Sequence, residues 1–202
     1  SISSNLAQLT LLPINDAPVI ASTPFTLATE DKLYQTDIDA LDPDNDILAY
    51  SLTSSPSGMA IDSLTGAISW TPDNSQVGNN QVTVQVSDGN LTALQSFEIA
   101  VSNVNDDPIL IQNIPDQTWN EDNNITINLS NYFQDPDNDV LTYTILTQPD
   151  NITVNIQNSI AALTPDQNFN GITSIAFTAS DSSSSISSNL AQLTLLPIND
   201  AP

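Results

Sequence analysis

The chain has 202 residues, of which 39% are hydrophobic; 24 acids stand against one base, giving a formal net charge of −23. It has no cysteine and no histidine. That balance excludes nucleic acid and anionic membrane surfaces as partners, which demand Lys and Arg, and it excludes disulfides as staples; with Lys32 as the single amine side chain, catalysis would fall to carboxylates and hydroxyls, so an enzyme is not expected. Of the acids, 21 are Asp and 3 are Glu. Short, stiff carboxylates without interspersed lysine suit a hard cation better than a generic solubilising surface. The apolar content is that of a folded domain rather than an acidic disordered segment, and nothing in this window is an uninterrupted apolar run of about 18 residues, the length that inserts in a membrane.

In chain order, the first element is a repeat. Residues 1–18, SISSNLAQLTLLPINDAP, recur letter for letter as residues 185–202, an offset of 184. Fixed-period identity predicts a window on a longer tandem array. Residues 1–12 then read as the last strand of a preceding repeat, an orphan here, loosely ordered or donated to a neighbouring molecule in a homotypic contact. Residues 13–18 read as a linker carrying Asn15-Asp16-Ala17-Pro18. The same signal returns at Asn105-Asp106-Asp107-Pro108 and at Asn199-Asp200-Ala201-Pro202, with spacings of 90 and 94 residues. The repeat is therefore two homologous domains, residues 19–104 and 109–198, joined by a linker at 105–108, with residues 199–202 starting the next linker.

Within each domain the apolar period is two. Val82, Val84 and Val86 share one face, with Gln81, Thr83 and Gln85 on the other. Phe97, Ile99 and Val101 alternate next, then Ile125, Ile127 and Leu129, then Leu141, Tyr143 and Ile145, then Ile175, Phe177 and Ala179, then Ala191, Leu193 and Leu195. No segment carries a capped helical stripe. Short half-buried strands between turn clusters predict two all-β sandwiches of about seven strands each. Trp70 is expected in a core, whereas Trp119 is left between a core role and a sugar platform. Lys32 is expected on the surface. Four Asn-x-Ser/Thr sequons, at Asn90, Asn124, Asn128 and Asn151, read as accidents of composition.

Asp42-Pro43-Asp44-Asn45-Asp46 recurs as Asp135-Pro136-Asp137-Asn138-Asp139. Three carboxylates at i, i+2 and i+4 repel one another unless something neutralises them, and in a loop they converge on a hard cation. The plain alternative is a solvated acidic turn, with Pro and Asn chosen for turn geometry. Two copies in a chain with one base favour cation binding. An EF-hand is excluded: its Gly and Glu positions, counted from Asp42, hold Ile47 and Thr53, and from Asp135 they hold Val140 and Leu146. Asp37 and Asp39 have no counterparts in the second half and are read as facing water in preference to holding an extra ion.

Four features occur in order in each half: N-D-x-P, an acid 14 or 15 residues on (Glu30, Glu121), D-P-D-N-D-x-L-x-Y, and a late Ser-Asp (Ser87-Asp88, Ser180-Asp181). With Ile61-Asp62-Ser63-Leu64-Thr65-Gly66-Ala67-Ile68, this resembles the cadherin-like, dystroglycan-type and Ig-like tandem repeats of bacterial surface adhesins. The resemblance implies Greek-key Ig/cadherin-like sandwiches and Ca2+ held between successive domains. Carried over by position, it implies Glu30 and Asp73 from the upstream domain, Asn105, Asp106 and Asp107 from the linker, and Asp137, Asp139 and Asp181 from the downstream domain. The preceding junction would use Asn15, Asp16, Asp44, Asp46 and Asp88, and Glu121 would serve the following one, with the adjacent Asp31 and Asp122 as alternatives to Glu30 and Glu121. The cadherin L-D-R-E segment is missing, and Trp70-Thr71-Pro72-Asp73 stands in its place.

The function this implies is structural: calcium-rigidified stalk repeats of a long secreted or cell-surface bacterial adhesin. They would serve adhesion or biofilm formation by projecting a distal binding module, with neighbouring repeats as partners. The alternatives are a self-assembling fibre subunit that donates residues 1–12, and a carbohydrate-binding module.

Overall fold

The computed structural model describes residues 14–199; the expected orphan strand at 1–12 lies outside the described residues. The chain divides into two units, Ser1–Val104 and Asn105–Pro202.

Unit 1 contains β1 (Val19–Ile20), β2 (Leu27–Thr29), β3 (Tyr34–Asp37), β4 (Ala40–Leu41), β5 (Ala49–Ser54), β6 (Ala60–Ile61), β7 (Ala67–Trp70), β8 (Gly78–Ser87) and β9 (Thr92–Ser102). One sheet runs β2-β9-β8-β5 and the facing one β3-β7-β6. The β8–β9 hairpin pairs Gly78 with Val101 through to Ser87 with Thr92. Its alternation sets the inner face: Val82, Val84, Val86 and Ile99 are wholly buried, each worth roughly 1.5–3 kcal/mol of transfer free energy. Opposite them lie Tyr34, Ile38, Met59, Ile68 and Trp70. Strand β2 joins β9 in parallel, Leu27 opposite Ala100. Gly66 has φ +76°, and a Cβ there would clash with the Ile38 carbonyl oxygen, so only glycine fits this turn.

Unit 2 contains β10 (Ile109–Leu110), β11 (Gln117–Asn120), β12 (Ile125–Asn128), β13 (Phe133–Gln134), β14 (Thr142–Thr147), β15 (Ile152–Gln157), β16 (Ile160–Pro165), β17 (Gly171–Ser180), β18 (Ser185–Ser187) and β19 (Ala191–Leu196). Sheets β11-β19-β17-β14 and β12-β16-β15 enclose the core. Ile175, Phe177, Ala179, Ala191 and Leu193 come from the first, Ile127, Ala161 and Leu163 from the second. Strand β11 joins β19 in parallel, Thr118 opposite Thr194, repeating the β2–β9 arrangement. Both architectures are all-β sandwiches. Two-residue strands beside the long ones raise the described strand segments to nine and ten, above the seven expected in each domain.

Trp70 and Trp119 are both core residues, 1% and 9% exposed. The Trp70 indole N–H donates to the Ser57 carbonyl (3.2 Å), and that of Trp119 to the Asn123 carbonyl (2.9 Å). Tyr143 and Ile145 of the edge strand β14, and Leu141 just before it, only lean on the core.

Candidate metal centre

Each unit folds its own linker back onto its acidic loops. In unit 1 the Asn15 amide donates to Asp88 Oδ2 (2.9 Å), and the Asp16 N–H to Asp44 Oδ2 (2.7 Å). In unit 2 the Asn105 amide donates to Asp181 Oδ2 (3.0 Å), and the Asp106 N–H to Asp137 Oδ2 (2.6 Å). The leading end of each unit thus gathers linker, D-P-D-N-D loop and late Ser-Asp.

The D-P-D-N-D loop owes its form to its first residue. Asp42 Oδ1 accepts the N–H groups of Asp44 (2.9 Å) and Asp46 (3.1 Å). Asp135 Oδ1 accepts those of Asp137 (2.9 Å) and Asp139 (3.1 Å). Pro fixes the second position, and Asn45 and Asn138 take the left-handed fourth position at φ +63°, which Asn tolerates. Asp135 is 3% exposed. Its Oδ2, like that of Asp42, is buried and has no hydrogen-bond partner among the described residues. A desolvated carboxylate oxygen without a partner costs several kcal/mol unless a proton or cation meets it. The two first aspartates belong to the acidic run read as converging on a cation, whereas the resemblance carries over only the second and third carboxylates of each loop. Their signal was their place two and four residues before carboxylates whose N–H groups need a cap.

The late aspartates close the site from the β8–β9 and β17–β18 turns. Asp181 Oδ1 accepts the Ser183 and Ser184 N–H groups at 2.5 and 2.6 Å. The Asn105 amide first, then those two N–H groups, hold its pKa down to about 2. Asp88 is held below its ordinary value by the Leu91 N–H, then the Asn15 amide and the Asn90 N–H. A lowered folded-state pKa gives stability that is complete above the ordinary carboxylate value of about 4 and is lost as pH falls through about 2. Asn105→Ala is therefore expected to raise the Asp181 pKa and to move acid unfolding of unit 2 to higher pH, read from carboxyl-carbon NMR shifts in chelator.

At the trailing ends the two glutamates are buried and hold the exit strand. Glu30 accepts the Val104 N–H on Oε2 (3.3 Å), and Glu121 accepts the Ile198 N–H on Oε1 (2.7 Å). Glu121 Oε2 also accepts the Asn170 amide (3.1 Å). Asp31 and Asp122, at φ +58° and +61°, turn the chain away just after each glutamate. Asp73 is the N-cap of a short 3-10 turn, its Oδ1 accepting the Ser75 N–H (2.9 Å) and hydroxyl. It lies beside the Glu30 turn, since the Asp31 N–H donates to the Pro72 carbonyl (2.9 Å). Asp46, Asp107 and Asp139 are exposed, as are Asp37 and Asp39.

Residues 17–102 match the family model described as a putative Ig domain, and residues 104–196 match a cadherin-like domain. No curated protein matches. Among solved structures, the EC1-2 pair of human protocadherin-24 is 18% identical, covering 92% of this chain and 100% of that one, with a TM-score of 0.53. Cadherin domains 1–4 of protocadherin gamma B7 are 16% identical, covering 88% and 49%, with a TM-score of 0.53. Both are likenesses of fold. An endo-fucoidan hydrolase of glycoside hydrolase family 107 is 26% identical over 91% of this chain, at a TM-score of 0.43. The chain spans 29% of that enzyme's length, and the hydrolase is a distant fold match. Ig- and cadherin-like domains are typically non-enzymatic, and cadherin-like domains generally bind Ca2+ and are usually extracellular. No helix among the described residues is long and apolar enough to cross a membrane.

Proposed function

We propose, from the premise that this chain is a tandem of an Ig-like and a cadherin-like sandwich, that it is a calcium-rigidified spacer of a long bacterial cell-surface adhesin. The observation that carries the reading is the Asp135 carboxylate: buried, with one oxygen capping its loop and the other unpartnered among the described residues. That oxygen, next to the linker-bonded Asp137, is what an oxygen-liganded cation at about 2.3–2.6 Å would use. Asn105, Asp106, Asp107, Asp137, Asp139 and Asp181 supply the rest of the downstream half. Glu30 and Asp73 supply the upstream half; Glu30 accepts from Val104, the residue covalently before Asn105. Asn15, Asp16, Asp44, Asp46 and Asp88, joined by Asp42, repeat the arrangement one domain earlier, and Glu121 repeats the role of Glu30.

Without calcium, carboxylates from successive domains repel across a short linker. With calcium, shared ligands hold them end to end, so that an array extends whatever binding module it carries. Small-angle scattering is expected to show a longer maximum dimension and narrower flexibility in millimolar calcium than in chelator. Identical profiles in the two conditions would sink the proposal.

A further inference from the structure

Unit 2 carries a reactive pair where its longest strand begins. Asn170-Gly171 is the one place in the 202-residue sequence where glycine follows asparagine. Gly171 opens β17 at φ +147°, a backbone conformation that L side chains rarely adopt. A Cβ built there would meet only the Phe169 ring, at 3.7 Å, so the space beside the Gly171 nitrogen is open. Asn170 lies in the loop just before the strand and is exposed.

The Asn170 side chain has a buried partner. Its amide donates to Glu121 Oε2 (3.1 Å), while Glu121 Oε1 accepts the Ile198 N–H (2.7 Å) just past β19. Glu121 is 3% exposed. One buried carboxylate thus ties the loop before β17 to the end of β19. Unit 1 supplies an internal control. The registers of β2 and β8 on β9, set beside those of β11 and β17 on β19, align Glu30 with Glu121 and Gly78 with Gly171. Gly78 also has a positive φ, +99°, but Val77 precedes it. The fold therefore asks for the glycine and not for the asparagine.

We propose that Asn170 is a site of spontaneous covalent modification, at which loss of ammonia turns the donor that serves Glu121 into a carboxylate that opposes it. Hydroxide removes the Gly171 amide proton, and that nitrogen adds to Asn170 Cγ. The Cγ–Nδ2 bond breaks, ammonia leaves, and a cyclic succinimide remains. Water then opens the ring. Opening at Cγ gives aspartate; opening at the main-chain carbonyl gives isoaspartate, whose backbone runs through the side-chain carbon. An amide and a water become an acid and an ammonia, with no change of oxidation state. A side chain on the following residue hinders the approach of the nitrogen, so the step is slower at Asn74-Ser75 and Asn158-Ser159, and slower again before Leu or Ile. Either product leaves the buried Glu121 oxygen facing a negative group instead of an N–H, which costs more than the lost bond alone. Isoaspartate also adds a backbone atom ahead of β17 and disturbs its register on β19. The change runs one way, so the converted fraction records the age of the chain.

The test follows the 202-residue chain in chelator at mildly alkaline pH, by peptide mass mapping and enzymatic isoaspartate detection. Chelator keeps the calcium-dependent stiffening out of the outcome. Conversion at Asn170 is expected to run about tenfold ahead of Asn74 and Asn158 and to speed up as pH rises. It should disappear in Asn170→Gln, whose longer side chain would have to close a larger ring. Asn170→Asp, made directly, is expected to melt roughly 5–10 °C below the unaltered chain in chelator. Conversion at Asn170 no faster than at Asn74 or Asn158 would overturn the proposal, and so would an Asn170→Asp chain that melts with the unaltered one. If Asn170→Asp fails to fold, the mass map of the unaltered chain decides alone.

Discussion

Asp135→Asn is expected to weaken calcium binding about 100-fold while leaving the fold of unit 2 intact. Asn keeps an oxygen in the Oδ1 position, so the caps on Asp137 and Asp139 survive. What is lost is the negative charge and the second carboxylate oxygen, the one buried without a partner among the described residues. The apo protein should respond in the opposite direction. Neutralising an unpaired buried carboxylate relieves a desolvation cost, so the melting temperature in chelator rises while the increment on adding calcium shrinks. Calorimetric titration and melting, each with and without calcium, check both signs. Asp139→Asn, at an exposed position, is the control and should cost less. Equal affinity for Asp135→Asn and the unaltered chain would remove Asp135 from the ligand set.

Trp70→Ala is expected to destabilise unit 1 by about 3–5 kcal/mol, the largest single effect on stability in the chain. Trp70 is 1% exposed, meets Tyr34 edge-on at 6.4 Å and donates to the Ser57 carbonyl. Ser57 keeps a second donor, the Gln76 amide at 2.9 Å, so the loss is mainly cavity and contact rather than an orphaned acceptor. For a domain of this size the cost lowers the unit 1 transition by roughly 15–30 °C. The core of unit 2 is built from its own residues, so its transition should stay in place. Differential scanning calorimetry would then resolve two transitions from one. A uniform shift of a single transition would show instead that the units unfold together.

The strands were legible because each inner face is written as a period of two, and Val82, Val84 and Val86 or Ile175, Phe177 and Ala179 have no other way to be buried. Their limits were less so. Leu129 continues the Ile125–Ile127 alternation in sequence yet lies in a 3-10 turn capped by Asn128, where it is buried from a different backbone. That the linker meets the D-P-D-N-D loop and the late Ser-Asp was implied only by the family resemblance, since neither spacing nor motif order brings segments 31 and 76 residues apart together. What could not be read was which aspartate of D-P-D-N-D turns inward. Asp42, Asp44 and Asp46 are chemically alike, and their roles separate only once the left-handed Asn45 brings two N–H groups onto Asp42. Asp73 shows the converse. Position suggested a ligand, and its side chain also serves as a cap, a role visible only in the turn that follows it.

The parallel joint that closes each sandwich bears on how two successive sandwiches avoid misfolding. The last strand of each unit must find an early one: β9 finds β2 and β19 finds β11, across most of the domain's length. Such distant pairings form late, and until then an unpaired final strand is free to enter a neighbour's sheet. Adjacent units here end in dissimilar strands, TALQSFEIAVS in β9 and AQLTLL in β19. The identical copy of β19 lies a full period away, at an offset of 184 residues. Within this chain an unlike sandwich therefore stands between the two copies of AQLTLL, and exchange of β9 with β19 between nearest neighbours is a mismatch of side chains rather than an equal alternative.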